Sequence, residues 1–408
     1  MRDVIDVLVV GGGPVGACAA ALLARAAQGG GRALRVALLE PRTVAIPEPG
    51  SPLDTRVVAI SRASERILGS AGAWGAIAGP RISPYERMRI WYEGTESTGS
   101  GALVFDAAEV GEPNLGYILE SRLLQAALLD AFVAAGGRID TNELRSVHVE
   151  AEHVNVETQS CTLTARLVVG ADGAQSPLRE SIGLTADVRP LQQTAIVATV
   201  ATERSHDRTA WQRFMLDGTL AFLPLADGTS SIVWSADEGL ASRLLAMDGA
   251  QFAGELDRAS DLALGATRLV GERLQFPLKS LAAHRYVAQR CALVGDAAHV
   301  VHPLAGQGVN LGLLDAAALA QVVLAAVRER EDPGALRVLR QYERWRKSDV
   351  AIMSAAIGAF DRFLAHGTGP LSALARRGLG WVNRSQELKR LFVHHALGLS
   401  GELPEAAR

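Results

Sequence analysis

Between an apolar, β-branched run from Ile5 to Val10 and an alanine- and leucine-rich stretch from Ala17 to Ala27 stands the hexapeptide Gly11-Gly12-Gly13-Pro14-Val15-Gly16. Few folds accommodate that order. The run reads as a strand covered on both faces, the stretch as a helix, and Leu34 to Leu39 as a second buried strand ending at Glu40. Together they predict a βαβ unit. Gly11 allows the tight turn, Gly13 lets a pyrophosphate approach the backbone, and Gly16 lets helix and strand pack closely. The N-terminus of that helix, reached through Pro14 and Val15, offers unpaired amides to the phosphates. Glu40 can hold an adenosine ribose through its hydroxyls and would repel a 2′-phosphate. The glycines alone would fit an ordinary strand-to-helix turn. Strand, helix and Glu40 together predict a bound dinucleotide, FAD or NAD.

Further along, Pro41 to Asp54 reads as a loop near the site and Ser61 to Ser70 as a short helix. Met88, Ile90 and Tyr92 alternate, and Ala102 to Phe105 is another short strand, so a new sheet begins there. Ser121 to Ala135 is apolar at helical spacing with Ser121 as its cap, and Leu163 to Val169 is a buried strand. From about 185 to 280 the chain is strand-rich, with Ile196 to Val200, Thr219 to Leu223 and Ser230 to Trp234 as strands. Ala292 to Val294 is short and apolar, a helix covers about Gln307 to Arg328, and the remainder reads as mostly helical.

Two more glycine-bearing motifs follow strands. Gly170-Ala171-Asp172-Gly173-Ala174-Gln175-Ser176-Pro177-Leu178-Arg179 could be a turn capped by Asp172 beside a solvated Arg179, or a part of the cofactor site. The third begins Gly295-Asp296-Ala297-Ala298-His299, continues through His302-Pro303, and ends Gly306-Gln307-Gly308-Val309-Asn310 with Asp315 beyond. Asp296, at a strand end, can accept hydrogen bonds from ribityl hydroxyls. His299 and His302 invite a metal or catalytic reading, but two histidines without a third ligand make a poor zinc site. Hydrogen-bonded structural histidines in a tight loop are favoured, and no metal is predicted. Arg42 and Arg56 could meet phosphate or ribose oxygens or lie solvated on the surface. For Arg122, a plain helix-surface charge stands beside a place near the phosphates.

The third motif resembles the flavin-binding segment of the p-hydroxybenzoate hydroxylase superfamily, and with the other two it covers the same stations along nearly the whole chain. Leu115-Gly116-Tyr117-Ile118-Leu119-Glu120 and Ala396-Leu397-Gly398-Leu399 look specifically like the UbiH-type hydroxylases of ubiquinone biosynthesis. The resemblance implies a mixed α/β fold: a Rossmann-like FAD-binding domain with a central parallel sheet, interleaved with a β-sheet substrate domain, and a helical C-terminus. The FAD-binding domain would comprise residues 1–80, 107–183 and 285–365, the substrate domain 81–106 and 184–284, and the helical region 366–408.

It also implies an FAD-dependent aromatic-ring monooxygenase with NAD(P)H and O2 as cosubstrates. Pro303, Gly306 and Gln307 would lie beside the isoalloxazine, with Gly308, Val309 and Asn310 at the helix end facing its pyrimidine side. Arg122 would stand near the flavin phosphates, and Asp172 and Arg179 would have a role shared between FAD and the nicotinamide. The protein would supply no catalytic dyad or nucleophile, because the flavin performs the chemistry. The substrate would be a polyprenylated phenol or quinol precursor of ubiquinone, lodged between the strands around 86–105 and 196–234. A soluble aromatic metabolite, or reduction of an isoprenoid on the same fold, are the competing readings.

Composition narrows the partners. Hydrophobic residues make up 48%, charged residues 21%, and the net charge is −3, so no nucleic-acid surface is expected. Cys18, Cys161 and Cys291 read as reduced, buried thiols of a cytoplasmic protein. The N-terminus lacks the layout of a signal peptide, and Leu313 to Val327 is shorter than the roughly 20 residues a bilayer span needs. Leu388, Leu391, Phe392 and His395, beside Arg384, Lys389 and Arg390, could rest on the inner face of an anionic membrane or pack on their own domain. Other ubiquinone-biosynthesis proteins and an oligomeric state are further expectations.

Overall fold

A computed structural model of the chain describes residues 4–25, 34–42, 44–48, 50–99, 101–301, 306–360 and 401–408. Ile5–Val10 is the hub of the first sheet, pairing in parallel with Thr162–Gly170 on one side and Val36–Leu39 on the other. Cys291–Leu293 joins beyond Thr162–Gly170, and Arg138–Asp140 beyond Val36–Leu39, both in parallel. In Ile5–Val10 the residues Val7, Leu8 and Val9 are fully buried, as expected of a strand covered on both faces. Helix Pro14–Arg25 packs between helices Ser121–Ala134 and Gln307–Arg328 beside this sheet. Leu144–Val149 and Val154–Thr158 extend Thr162–Gly170 as an antiparallel meander that the sequence pattern does not reveal.

The second sheet has eight strands in the order His299–Val300, Thr267–Ala283, Ala186–Thr202, Ser230–Asp237, Gly218–Pro224, Thr209–Met215, Arg87–Tyr92 and Leu103–Asp106. Only the pair Thr209–Met215 with Arg87–Tyr92 is parallel. One face buries Leu220, Phe222, Ile232 and Trp234 against helices Glu238–Ala246 and Gly249–Ser260. These two helices interrupt the segment read as purely strand-rich. Asp237 and Asp248 accept from Leu240 and Gln251 amides and cap them. The other face looks toward the first sheet. A small antiparallel sheet, Val57–Ile60, Gly116–Glu120 and Ser83–Tyr85, bridges the two.

Several local expectations change. Ser121 is the first residue of its helix, and the cap position falls on Glu120, whose side chain instead takes a bidentate bond from Arg81 at 2.7 and 2.8 Å. Ser61 does cap its helix, accepting from Ser64 N. Leu313 to Val327 belongs to a 22-residue helix, which is long and apolar enough to cross a membrane but is mostly buried in the first core. Cys18 and Cys291 are buried and burial pushes both thiols up to about 12, whereas Cys161 is exposed in a turn. Residues 361–400, with the Leu388 to Leu399 segment and the Ala396-Leu397-Gly398-Leu399 motif, lie outside the described residues. Beyond them, 401–408 forms one short 3-10 turn that docks on the first core, with Glu405 N donating to Gln321 Oε1 at 2.8 Å and Ala407 fully buried.

Candidate active site

The fold brings the three glycine-bearing motifs into contact. Ala171 N donates to Val10 O at 2.8 Å, and a Cβ on Gly11 would sit 2.5 Å from Ala171 O. With φ at +99°, Gly11 also holds a backbone shape that side chains disfavour. A Cβ on Gly16 would lie 2.0 Å from Gly11 O, so the loop can close only on a bare residue. At Gly13 the same atom would meet nothing within 4 Å. That open side faces a cavity. Val15, next along, touches the third motif, since a Cβ on Gly312 would lie 2.4 Å from its Cγ2.

Arg179 joins the second motif to the third. It is buried, and its guanidinium donates to Ala297 O at 2.9 Å and Ala174 O at 3.0 Å, so the solvated arginine is ruled out. Asp172 does cap the following turn, accepting from Leu178 N at 2.9 Å and from Ser176 Oγ. Burial pushes its carboxyl above the usual range, with those two hydrogen bonds pulling the other way. Under the third motif lies a buried charge network. Asp315 accepts from Gly295 N at 3.0 Å and from Arg346 Nε at 2.8 Å, and His299 Nε2 lies 2.5 Å from its Oδ2. Burial works to raise the Asp315 carboxyl, yet His299 and Arg346 together hold it below the usual range. His299 is thus a structural residue of the loop that carries Asp296. His302 and Pro303 lie outside the described residues.

The cavity, of about 630 Å³, opens between the loops and the inner face of the second sheet. Small-molecule sites span roughly 300–1,000 Å³. Gly13, Pro14, Val15, Asp296, Gly306, Gln307, Gly308 and Val309 line its loop end. Gly306 occupies the left-handed region at φ +62° as the cap of Gln307–Arg328, which turns the first helical amides toward the cavity. Asp296 is open to the cavity and has no hydrogen-bond partner among the described residues. Burial raises its carboxyl above the usual range, against the pull of His299 and Lys279.

The remaining expected site residues make contacts within the chain or are exposed. Asn310 does not line the cavity; its amide accepts from Ser61 N at 3.0 Å and Ser64 Oγ at 2.8 Å and donates to Ala59 O at 2.9 Å, pinning the helix start to the small sheet. Glu40 accepts from Gly12 N at 2.6 Å and Arg42 N at 3.0 Å, so one carboxylate shapes the glycine loop as well as ending the strand. The side chains of Arg42, Arg56 and Arg122 are exposed, and Arg56 lies over the Phe276 ring at 5.2 Å. Sequence reasoning missed Gln125, whose Nε2 donates to Gly12 O at 2.9 Å, and Arg346. The only signal for Gln125 was a polar residue on a helix face otherwise apolar.

These features fit FAD. A glycine loop with open space at Gly13, two helix N-termini facing one cavity, and an unpartnered Asp296 carboxylate between them match a long, polyhydroxylated diphosphate ending in a flat ring.

Comparison with known proteins agrees. Residues 4–353 match the family model described as an FAD binding domain. Ubiquinone hydroxylase UbiL of Rhodospirillum rubrum is 38% identical over 99% of this chain and 92% of its own length. The 3-demethoxyubiquinol 3-hydroxylase of Escherichia coli is 35% identical over 97% of this chain and 98% of its own. The crystal structure of p-nitrophenol 4-monooxygenase PnpA from Pseudomonas putida superposes with a TM-score of 0.78 at 19% identity, covering 99% of this chain and 100% of that one, which speaks for the fold alone. The chain belongs to the FAD binding domain family, within the p-hydroxybenzoate hydroxylase superfamily. It is an FAD-dependent aromatic-ring monooxygenase that uses NAD(P)H and O2.

Proposed function

We propose that the ring it hydroxylates is that of a prenylated phenol or quinol precursor of ubiquinone. The observation that carries this is the cavity wall beyond the loops: Met88, Phe105, Leu115, Leu223, Val233, Phe276 and Leu278 are apolar, and no lysine or arginine lines it among the described residues. A carboxylated ring would be left without a counter-charge there, whereas an uncharged ring with a hydrocarbon tail gains from burial. The relatives above carry ubiquinone or ubiquinol in their names, which supports the same substrate class.

FAD, when bound, would supply the redox and oxygen chemistry. The chain's own residues bind, orient and keep water out. The bare side of Gly13 and the first amides of Pro14–Arg25 receive the diphosphate, and Asp296 receives hydroxyl groups of the cofactor chain. The amides at the start of Gln307–Arg328 place positive potential at the cavity and favour an anionic, reduced ring in front of them. The apolar wall excludes water from the reacting ring.

The test is NADPH and O2 consumption by the FAD-loaded protein with a prenylated phenol, with the product weighed by mass spectrometry. A gain of one oxygen atom coupled to NADPH loss is expected, and peroxide without product would overturn the substrate. We place the protein in the cytoplasm, touching the inner membrane face where such a lipid resides and working beside other ubiquinone-biosynthesis proteins. Liposome flotation tests the contact, and failure to float with anionic vesicles would remove it.

A further inference from the structure

The inner face of the second sheet carries one group of polar side chains that lines the cavity; Ser231 and Thr199 share the face by strand alternation but do not line it. By strand alternation Ala210 and Gln212 face the cavity from one strand, Thr219, Ala221 and Leu223 from the next, and Val233 and Ser235 from the third. Gln212 pairs with Ala221, and Thr219 pairs directly with Ser235. Gln212 and Thr219 are therefore diagonal neighbours on one face, and Thr219 and Ser235 are opposite each other, within side-chain reach. All three are at least nine-tenths buried, at 5%, 6% and 5% exposure, and all three line the cavity.

None of these side chains has a hydrogen-bond partner among the described residues. Buried amides and hydroxyls are nearly always paired, because losing water without replacement is costly. Elsewhere Asn310 bonds to Ser61, Ser64 and Ala59 and Gln125 holds Gly12 O, while Asn114 Oδ1, Ser230 Oγ and Ser231 Oγ are buried without a partner among the described residues. What sets Gln212 apart is that it lines the cavity. The exposure left to Gln212 opens into the cavity, and its amide presents a donor and an acceptor side by side. That pair matches an aromatic ring carrying a hydroxyl next to a second oxygen substituent: the hydroxyl donates to Oε1 and the neighbouring oxygen accepts from Nε2.

We propose that Gln212, supported by Thr219 and Ser235, is the subsite that recognises the oxygen substituents of the aromatic substrate and so fixes which ring carbon faces the flavin. The proposal rests on the reading of the chain as a hydroxylase of an oxygenated, uncharged ring. Gln212 acts by contact with the substrate; Thr219 and Ser235 complete the polar floor beside it. An apolar residue of the same length at 212 removes the recognition and breaks no hydrogen bond among the described residues.

The experiment titrates FAD-loaded wild type and Gln212→Met with a short-prenyl 2-methoxyphenol and with the corresponding prenylbenzene lacking oxygen, following the flavin absorbance. Wild type is expected to bind the oxygenated ring at least about tenfold more tightly, and Gln212→Met to lose that preference while binding the oxygen-free ring as before. Thr219→Val should lose about threefold of it. The thermal midpoint of ligand-free Gln212→Met is expected at or above that of wild type. Equal affinities for the two rings in wild type, an unchanged preference in Gln212→Met, or a clear fall in its midpoint would each overturn the subsite. A preference that depends on Gln212, with no oxygen gained by any phenol in the mass spectrum, would leave the subsite standing and sink the proposed reaction instead.

Discussion

The two ends of the cavity treat their polar groups differently. At the loop end nearly every one is committed within the chain: Glu40 to Gly12 and Arg42, Asp172 to Ser176 and Leu178, Asn310 to Ser61, Ser64 and Ala59, and Asp315 to Gly295 and Arg346. Asp296 is the exception. At the sheet end Gln212, Thr219 and Ser235 hold polar atoms in reserve inside an apolar wall. A cofactor that stays bound can be received by backbone amides fixed in place by such internal bonds. A substrate that arrives and leaves with every turnover has to be met by side chains with capacity to spare.

The largest effect that would test this contrast is at the loop end. In Gly16→Ala the new Cβ would meet Gly11 O at 2.0 Å, and the expected result is a colourless protein with FAD affinity down at least about a hundredfold. Flavin absorbance per mole of protein checks it, and a yellow variant would show that the loop end tolerates change as the sheet end should. Next comes Asp315→Asn, which leaves buried Arg346 with only the partly exposed Asp349 as counter-charge and should cost about 3 kcal/mol in urea unfolding. Replacing both, as Asp315→Leu with Arg346→Met, should recover much of that loss. Failure to recover would mean that the pair contributes more than mutual charge compensation.

Smaller effects follow pH. The folded carboxyl of Asp315 is held low, so its stabilising contribution is present above the unfolded value of about 3.9 and is lost as pH falls toward the folded value. Wild type should therefore lose more stability on acidification than Asp315→Asn. Asp296 has the opposite sign: its carboxyl is raised, so the contribution is present below the unfolded value and lost as pH rises through the folded one. The FAD-free Asp296→Asn variant should thus melt slightly higher than FAD-free wild type at neutral pH, while binding FAD more weakly. If its midpoint falls instead, Asp296 is not held in reserve for the cofactor.

Legibility in the sequence followed the same divide. Ile5–Val10 and Gln307–Arg328 were found at their observed bounds, because an apolar run between glycines and a long apolar helical period are local signals. The glycine motifs were legible for the same reason. Arg346 was not, since its partner Asp315 is 31 positions away and a charged residue in isolation reads as surface, and the bond of Arg179 to Ala297 O, over 100 positions away, was equally out of reach although the motif had singled the residue out. Gln212 was hidden more deeply: one polar residue in a strand ordinarily marks the solvent face, and only the second layer of the fold turns that face inward. The two helices between Glu238 and Ser260 were overlooked although Asp248 and Gln251 form a capping box, a signal strong enough to have found them.

The hub of the first sheet joins Ile5–Val10 to Thr162–Gly170, and Cys291–Leu293 lies one strand further out. Neighbours in space are therefore made at widely separated moments of synthesis. A ribosome would have released the glycine loop long before the strand and helix that complete its surroundings, and the substrate sheet emerges in between. Such long-range closure is slow compared with local pairing. Fragments ending before Gln307 should remain unable to hold flavin, and the newly made chain stays open to aggregation until its last quarter arrives. Flavin supply during synthesis would then raise the yield of folded protein without changing the rate of translation.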